Sequence, residues 1–436
     1  MSSAAEPSSA KSGRADRLWS VDEHLDDILG RIRPLEPIAL QLLDAQGCVL
    51  VEDVTAPAAL PPFDNSSMDG YAVRVADVEG ASEEFPAVLA VVGDVAAGSG
   101  EPPSVGPGEA ARIMTGAPLP PGAEAVVPVE WTDGGKGGGP ATTMAGSGSA
   151  EVRVHRSVDA RAHVRARGSD VTAGELVLAA GTLLGPAQIG LLAAIGRGTV
   201  SVRPRPRVVV VSTGSELVPP GESLAHGQIH DSNSFMLTAC AHAAGALAYR
   251  VGAVDDDPAT LRATLEDQLV RADAVVTSGG VSVGAYDVVK EALSGLPAEE
   301  GRVDFRRLAM QPGKPQGFGR IGPDRTPLFA LPGNPVSSYV SFELFVRPAL
   351  RALMGLAPAD RKVVRAVCPE GVASSPKGRR QYLRGRHDPA TGEVTVLGGA
   401  GSHLVKALAG ANALIVVPED ATSVAPGAEL DAVLLD

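Results

Sequence analysis

Acidic side chains gather at the ends of strand-like runs in the middle of this chain. Glu216 follows the run Val208–Ser212, Asp231 precedes a helix-like stretch, and Asp255-Asp256-Asp257 closes a second run. Asp287 opens the helix after a Gly-Gly turn. Oxygen-only ligands of this kind suit Mg²⁺, which takes one or two carboxylates together with substrate phosphate oxygens. Taken singly, the same residues have ordinary uses: Asp257-Pro258 is a helix cap with proline at the first position, and Asp287 complements a helix dipole. As a set on one sheet edge they point to metal or substrate contact.

Three glycine-bearing turns accompany the carboxylates. They are Ser212-Thr213-Gly214-Ser215-Glu216, Thr277-Ser278-Gly279-Gly280-Val281-Ser282-Val283-Gly284, and Leu331-Pro332-Gly333-Asn334-Pro335-Val336-Ser337-Ser338. Each follows a run of β-formers and precedes a helix-like stretch. Glycine lets backbone approach a phosphate, and the helix start behind it offers free N–H groups. In the third turn, Asn334 stands at an N-cap and Pro335 at the first helical position. Beyond the strand ends of an open parallel sheet, such turns mark a pocket for an anionic, phosphate-bearing ligand.

A basic segment adds the opposite charge. Lys314 lies in Met310-Gln311-Pro312-Gly313-Lys314-Pro315-Gln316-Gly317, with Arg306 and Arg307 just before it. A lysine acts as a point charge toward an oxyanion; a solvated loop lysine fits the same spacing. Met68-Asp69-Gly70-Tyr71 and Met114-Thr115-Gly116-Ala117-Pro118 read as tight turns. The histidines show no metal-ligand spacing.

Alternating elements must position these groups. Val208–Ser212, Ala248–Val254, Ala274–Thr277 and Leu328–Leu331 read as strands, and 234–244, 259–270, 287–293 and 336–354 as helices. That alternation predicts a largely parallel α/β sheet. Upstream, residues 21–43 carry helical spacing interrupted by Pro34 and Pro37. Residues 71–75 and 87–92 read as strands, and Asp133 to Ala150 as a Gly/Ser/Thr-rich loop. Leu176 to Ile195 reads as helix, starting near Gly185-Pro186. From about 356 the chain reads as short strands.

The chain has 436 residues, 44% of them hydrophobic, enough for several domains and a sizeable core. The net charge of −13 opposes non-specific nucleic-acid binding. No apolar run approaches the ~20 residues of a membrane span. Residues 1–17 lack the apolar stretch of a signal peptide and are expected to form a disordered tail. Three separated cysteines, Cys48, Cys240 and Cys368, argue against a disulfide framework and fit a cytoplasmic protein.

Six motifs in order then resemble the molybdopterin molybdenumtransferases, the molybdenum insertases of cofactor biosynthesis, including the insertase half of gephyrin. The first two are Pro62-Phe63-Asp64-Asn65-Ser66-Ser67-Met68-Asp69-Gly70-Tyr71-Ala72 and Arg112-Ile113-Met114-Thr115-Gly116-Ala117. The rest are Ser212–Leu217, Ser278–Gly284, Pro312–Pro315 and Leu331–Ser337. The resemblance spans residue 20 to the end. It implies an α/β multidomain protein: a helical domain from 18–60 plus 165–204, a β insertion over 61–164, a molybdopterin-binding α/β domain over 205–355 and a C-terminal β domain over 356–436. It implies a homodimer, and a Mg²⁺-dependent reaction in which adenylylated molybdopterin and molybdate yield molybdenum cofactor and AMP. Other enzymes of the same biosynthesis are the expected partners.

Carried over by motif, Asp69, Thr115, Asp170, Glu216, Asp256, Asp287 and Lys314 are the expected catalytic positions. Glu216, Asp256 and Asp287 are the expected Mg²⁺ ligands. Ser212, Thr213, Gly214, Ser278, Gly279, Gly280 and Ser282 are expected to hold the substrate. So are Gly313, Pro332, Gly333, Asn334 and Ser337, while Arg379 and Ser402 match positions associated with molybdate. Gln311 stands where many relatives carry lysine. Two other functions share parts of this pattern: an adenylyltransferase acting on molybdopterin, and a non-catalytic scaffold.

Overall fold

Four consecutive valines, Val208 to Val211, are fully buried within the strand Arg207–Thr213. Their side chains alternate between two separate cores: Val208 and Val210 pack with Leu237, Phe329 and Phe345, whereas Val209 and Val211 pack with Leu261, Leu265 and Val289. A strand apolar on both faces belongs inside a sheet covered by helices on both sides. The computed structural model of the chain describes residues 18–98, 100–145, 150–280, 288–294, 296–297, 299–356 and 361–435. Asp287 and Ser282, and the tail expected over 1–17, lie outside the described residues.

The sheet has seven strands: Leu18–Trp19 (β1), Arg207–Thr213 (β2), Leu247–Val254 (β3), Ala274–Ser278 (β4), Gly301–Leu308 (β5), Pro315–Ile321 (β6) and Thr326–Leu331 (β7). Their order is β1-β5-β6-β7-β4-β2-β3. β3, β2, β4 and β7 run parallel, and the helices Asn233–Ala243, Pro258–Leu269 and Val288–Ser294 occur between them in the chain. β6 is antiparallel to both its neighbours. The expected parallel core is therefore present, with an extra antiparallel edge that residue propensity hides. β6 contains Gly317 and Gly319, which weaken any strand signal. Both are needed: a Cβ on Gly319 would lie 2.0 Å from the Arg302 carbonyl oxygen, and one on Gly317 would lie 2.8 Å from the Ala330 Cβ.

All six residues of β7 are buried, and the chain turns from it into the helix Pro335–Ser341. The single helix expected over 336–354 is broken by a π turn over Phe342–Val346 before Arg347–Leu353. The expected helix at 21–43 stops at Arg31, ahead of Pro34 and Pro37. Its start is a capping box in which Ser20 and Glu23 exchange bonds. Beyond the α/β region, Arg380–Asp388, Glu393–Val396, Val363–Cys368, Ala428–Leu434 and Ala413–Val417 pair in that order. The last also pairs back to the first, closing a small β barrel around Cys368, Leu383 and Ile415.

The chain divides into two compact units, and all elements above belong to the one made of residues 1–38, 47–49 and 201–436. The second unit covers 39–46 and 50–200. It holds a five-stranded sheet in the order Glu151–Val154, Ala87–Val95, Glu109–Ile113, Gly70–Val73, Ala125–Pro128. The expected strands at 71–75 and 87–92 fall in it. The helix expected from Leu176 begins only at Pro186. Leu176–Leu178 instead pairs antiparallel with Val54–Thr55, and Gly181, at φ +88°, turns the chain away from it.

Candidate functional site

β2, β4 and β7 end side by side, so the turns that follow them must meet. Gly279 makes the meeting possible. A Cβ on it would lie 2.6 Å from the Thr213 carbonyl oxygen, too close for a side chain, whereas one on Gly333 would make only an ordinary 3.5 Å contact with the Gly279 Cα. Gly279 also sits at φ +103°, a conformation open chiefly to glycine. Around these contacts lies a cavity of about 770 Å³. Ser212, Thr213 and Gly214 line it from the first turn, Ser278, Gly279 and Gly280 from the second, and Pro332, Gly333, Asn334 and Ser337 from the third. Every described substrate residue expected from these three turns thus faces one cavity.

Glu216 and Asp256 line the same cavity, and both side chains belong to exposed residues. Asp256 accepts the Ser215 N–H at 3.2 Å and returns its own N–H to Ser215 Oγ at 3.2 Å, which ties the end of β3 to the first turn. Asp257 caps the next helix instead, accepting from the Thr260 N–H at 2.7 Å. Asp231 is buried on the cavity wall, where its carboxylate accepts from Ser212 Oγ (3.0 Å), Ser234 N–H (3.0 Å) and Ser234 Oγ (2.5 Å). Among the described residues, no Lys or Arg lines the cavity. Among the described residues, no group of three or more His, Cys, Asp and Glu is placed to hold an ion unaided. Two rim carboxylates facing an open cavity nonetheless fit Mg²⁺, which completes its shell with water and phosphate oxygens.

The cations stand next to the cavity. Lys314 directly precedes Pro315, which lines it, and the Lys314 carbonyl accepts from the Leu308 N–H at 2.7 Å. Loss of hydration and repulsion from Arg307 and Arg379 hold the Lys314 ammonium below the ordinary lysine range. Those three positive groups are therefore gathered at one place, and gathered cations attract an oxyanion. Arg379 donates to Gln311 Oε1 at 3.2 Å, so the glutamine amide meets a guanidinium there. Gly313 is buried, and a Cβ on it would lie 2.9 Å from Ser341 Oγ. The Ser402 carbonyl accepts the Val336 N–H at 3.0 Å, bringing the barrel's 399–404 loop to the third turn.

Asp69, Thr115 and Asp170 lie in the second unit. There Asp69 accepts from both the N–H (2.7 Å) and the hydroxyl (2.8 Å) of Thr115, and Asp170 is exposed. Three residues escaped the sequence reading. Asn233 and His403 line the cavity, and Arg384 is fully buried in the barrel with Nε and Nη1 unpartnered and Nη2 bonded to the Gly399 carbonyl. Arg384 is a charged residue within the strand-like run Gln381-Tyr382-Leu383-Arg384, and such a residue reads as solvent-facing. Asn233 opens a helix after a short strand, a place that could have been flagged.

A doubly wound sheet whose three glycine turns open on one cavity with carboxylates on its rim has the architecture of an α/β protein built to bind phosphate-bearing ligands. Residues 209–352 match a probable molybdopterin binding domain. Residues 19–196 match the MoeA N-terminal region (domain I and II), and 365–435 the MoeA C-terminal region (domain IV). The chain is 45% identical to molybdopterin molybdenumtransferase 2 of Mycobacterium tuberculosis over 94% of its own length and 98% of the relative's. It is 40% identical to molybdopterin molybdenumtransferase 1 of the same organism, over 95% and 99%. A molybdopterin biosynthesis MoeA protein of Pyrococcus horikoshii superposes with a TM-score of 0.72 at 32% identity, over 96% of this chain and 100% of that one. The chain belongs to the molybdopterin molybdenumtransferase family.

Proposed function

We propose that this chain inserts molybdate into adenylylated molybdopterin, releasing AMP and molybdenum cofactor with Mg²⁺ required. The observation that carries this reading is the convergence of three glycine turns on one cavity rimmed by Glu216 and Asp256. The turn amides cradle the pyrophosphate. Glu216 and Asp256, with Asp287, would hold Mg²⁺. When bound, the ion supplies charge neutralisation on the phosphate oxygens. Lys314 and Arg379 attract molybdate, a dianion, to the cavity's edge, and Ser402 offers it a hydroxyl. Holding both reactants close is the main contribution of these residues. Asp69, Thr115 and Asp170 are the remaining catalytic positions of this reading, and a homodimer accompanies it. A division into helical, β insertion, α/β and C-terminal β domains accompanies this reading, as does a cytoplasmic location beside the other enzymes of the same biosynthesis. No described helix is long and apolar enough to cross a membrane.

The test is direct. Purified protein given adenylylated molybdopterin, molybdate and Mg²⁺ is expected to release AMP, and the release is expected to stop when the metal is chelated. Pyrophosphate formation from ATP and molybdopterin, without AMP release from the adenylylated pterin, would reassign the chain as an adenylyltransferase.

A further inference from the structure

One side chain bonds two of the ligand turns at once. Asn233, the first residue of the helix Asn233–Ala243, donates one amide hydrogen to Ser278 Oγ at 2.8 Å and the other to the Gly333 carbonyl at 2.6 Å. A carbonyl only accepts, so the amide nitrogen must face Gly333 and the orientation of the carboxamide is fixed. Its Oδ1 is buried without a partner. Its hydrogen bonding therefore consists of the two donations. Behind it, Ser338 Oγ donates to the Pro332 carbonyl and lies 3.4 Å from Ser278 Oγ. Gly279 N–H reaches the Leu331 carbonyl at 3.1 Å.

From this geometry we infer that Asn233 is a positioning residue: it clasps the Ser278–Gly280 turn to the Pro332–Asn334 turn so that their amides face one phosphate group together. The inference rests on reading the cavity as the substrate site. Without the clasp, the two turns spend only part of the time in register. Apparent affinity then falls by the fraction of time they are aligned.

The experiment is a double-mutant cycle on AMP binding, read by calorimetry in Mg²⁺, with thermal melting as the folding control. Asn233→Ala is expected to weaken AMP binding about tenfold, the scale of one or two hydrogen bonds. Ser278→Ala is expected to weaken it less. The double variant is expected to lose less than the sum of the two single losses, because Ser278 is one of the two groups that Asn233 holds. If Asn233→Ala does not fold, Asn233→Leu, similar in size, uncharged and without a donor, takes its place with the same expectation. Unchanged AMP affinity in the Asn233 variant, or strictly additive losses, would overturn the clasp while leaving the cavity reading standing. Absence of AMP binding by the unmodified chain would overturn both.

Discussion

At the scale of single residues, the account turns on charge placed where a phosphate ester would lie. Glu216 and Asp256 are exposed on the cavity rim and bear little of the fold's packing. Glu216→Gln is therefore expected to cut AMP release about a hundredfold, the size of effect expected for one preorganised electrostatic group. Its unfolding midpoint in urea is expected to stay close to that of the parent. A large loss of stability with the loss of activity would instead make Glu216 structural. Lys314 makes a pH prediction. Poor hydration and the neighbouring Arg307 and Arg379 favour its neutral form, so it deprotonates below the usual lysine value of 10.5. Attraction for molybdate is present while the ammonium is charged and is lost as pH rises through the lowered value. The KM for molybdate should climb at alkaline pH, and Lys314→Arg should flatten the climb, because arginine keeps its charge. A KM independent of alkaline pH in the parent would contradict the placement of Lys314 at the anion.

At the scale of elements, two predictions concern packing. The helix Val21–Arg31 buries His24 edge-on against Phe345, 4.8 Å between ring centroids. Burial, reinforced by Arg306, pushes the imidazole down to about 3, against a smaller opposing pull from Asp27; Arg31 adds to the lowering. The folded ring stays neutral where the unfolded ring takes up a proton, so the unfolded state binds more protons between about 6.5 and about 3. Stability is expected to be full above that window and to fall as pH drops through it. Urea unfolding at about pH 7 and about pH 5 should show the decline, and His24→Gln should reduce it. The second prediction concerns Gly70, next to Asp69. A Cβ there would lie 2.0 Å from the Val127 carbonyl oxygen of the adjoining strand. Gly70→Ala is expected to cost about 1–3 kcal/mol by overpacking, seen in chemical denaturation. A neutral result would mean that the two strands part easily.

At the scale of the whole molecule, the legible parts are those where local sequence and tertiary context agree. β2, β4 and β7 announce themselves because β-branched or apolar runs end in glycine turns, and the residues expected to hold substrate lie on those turns. Glu216 and Asp256 are readable for the same reason: each lies within three residues of a strand end. β6 was hidden because Gly317 and Gly319 serve its neighbours rather than its own propensity. Arg384 was hidden because alternation in a closed barrel does not tell an outer face in water from one packed against other elements. Asp231 was visible as an acid, but its partners Ser212 and Ser234 become neighbours only through the fold. Asp69, Thr115 and Asp170 were reached by motif alone, and the bond between Asp69 and Thr115 spans 46 positions of chain. The measurement that bears most directly on the whole account is a crystal structure of the protein soaked with AMP and Mg²⁺. The phosphate is expected against the amides of Gly279, Gly280 and Gly333, with the ion between it and Glu216 and Asp256. A phosphate bound elsewhere, with that cavity filled only by solvent, would contradict it.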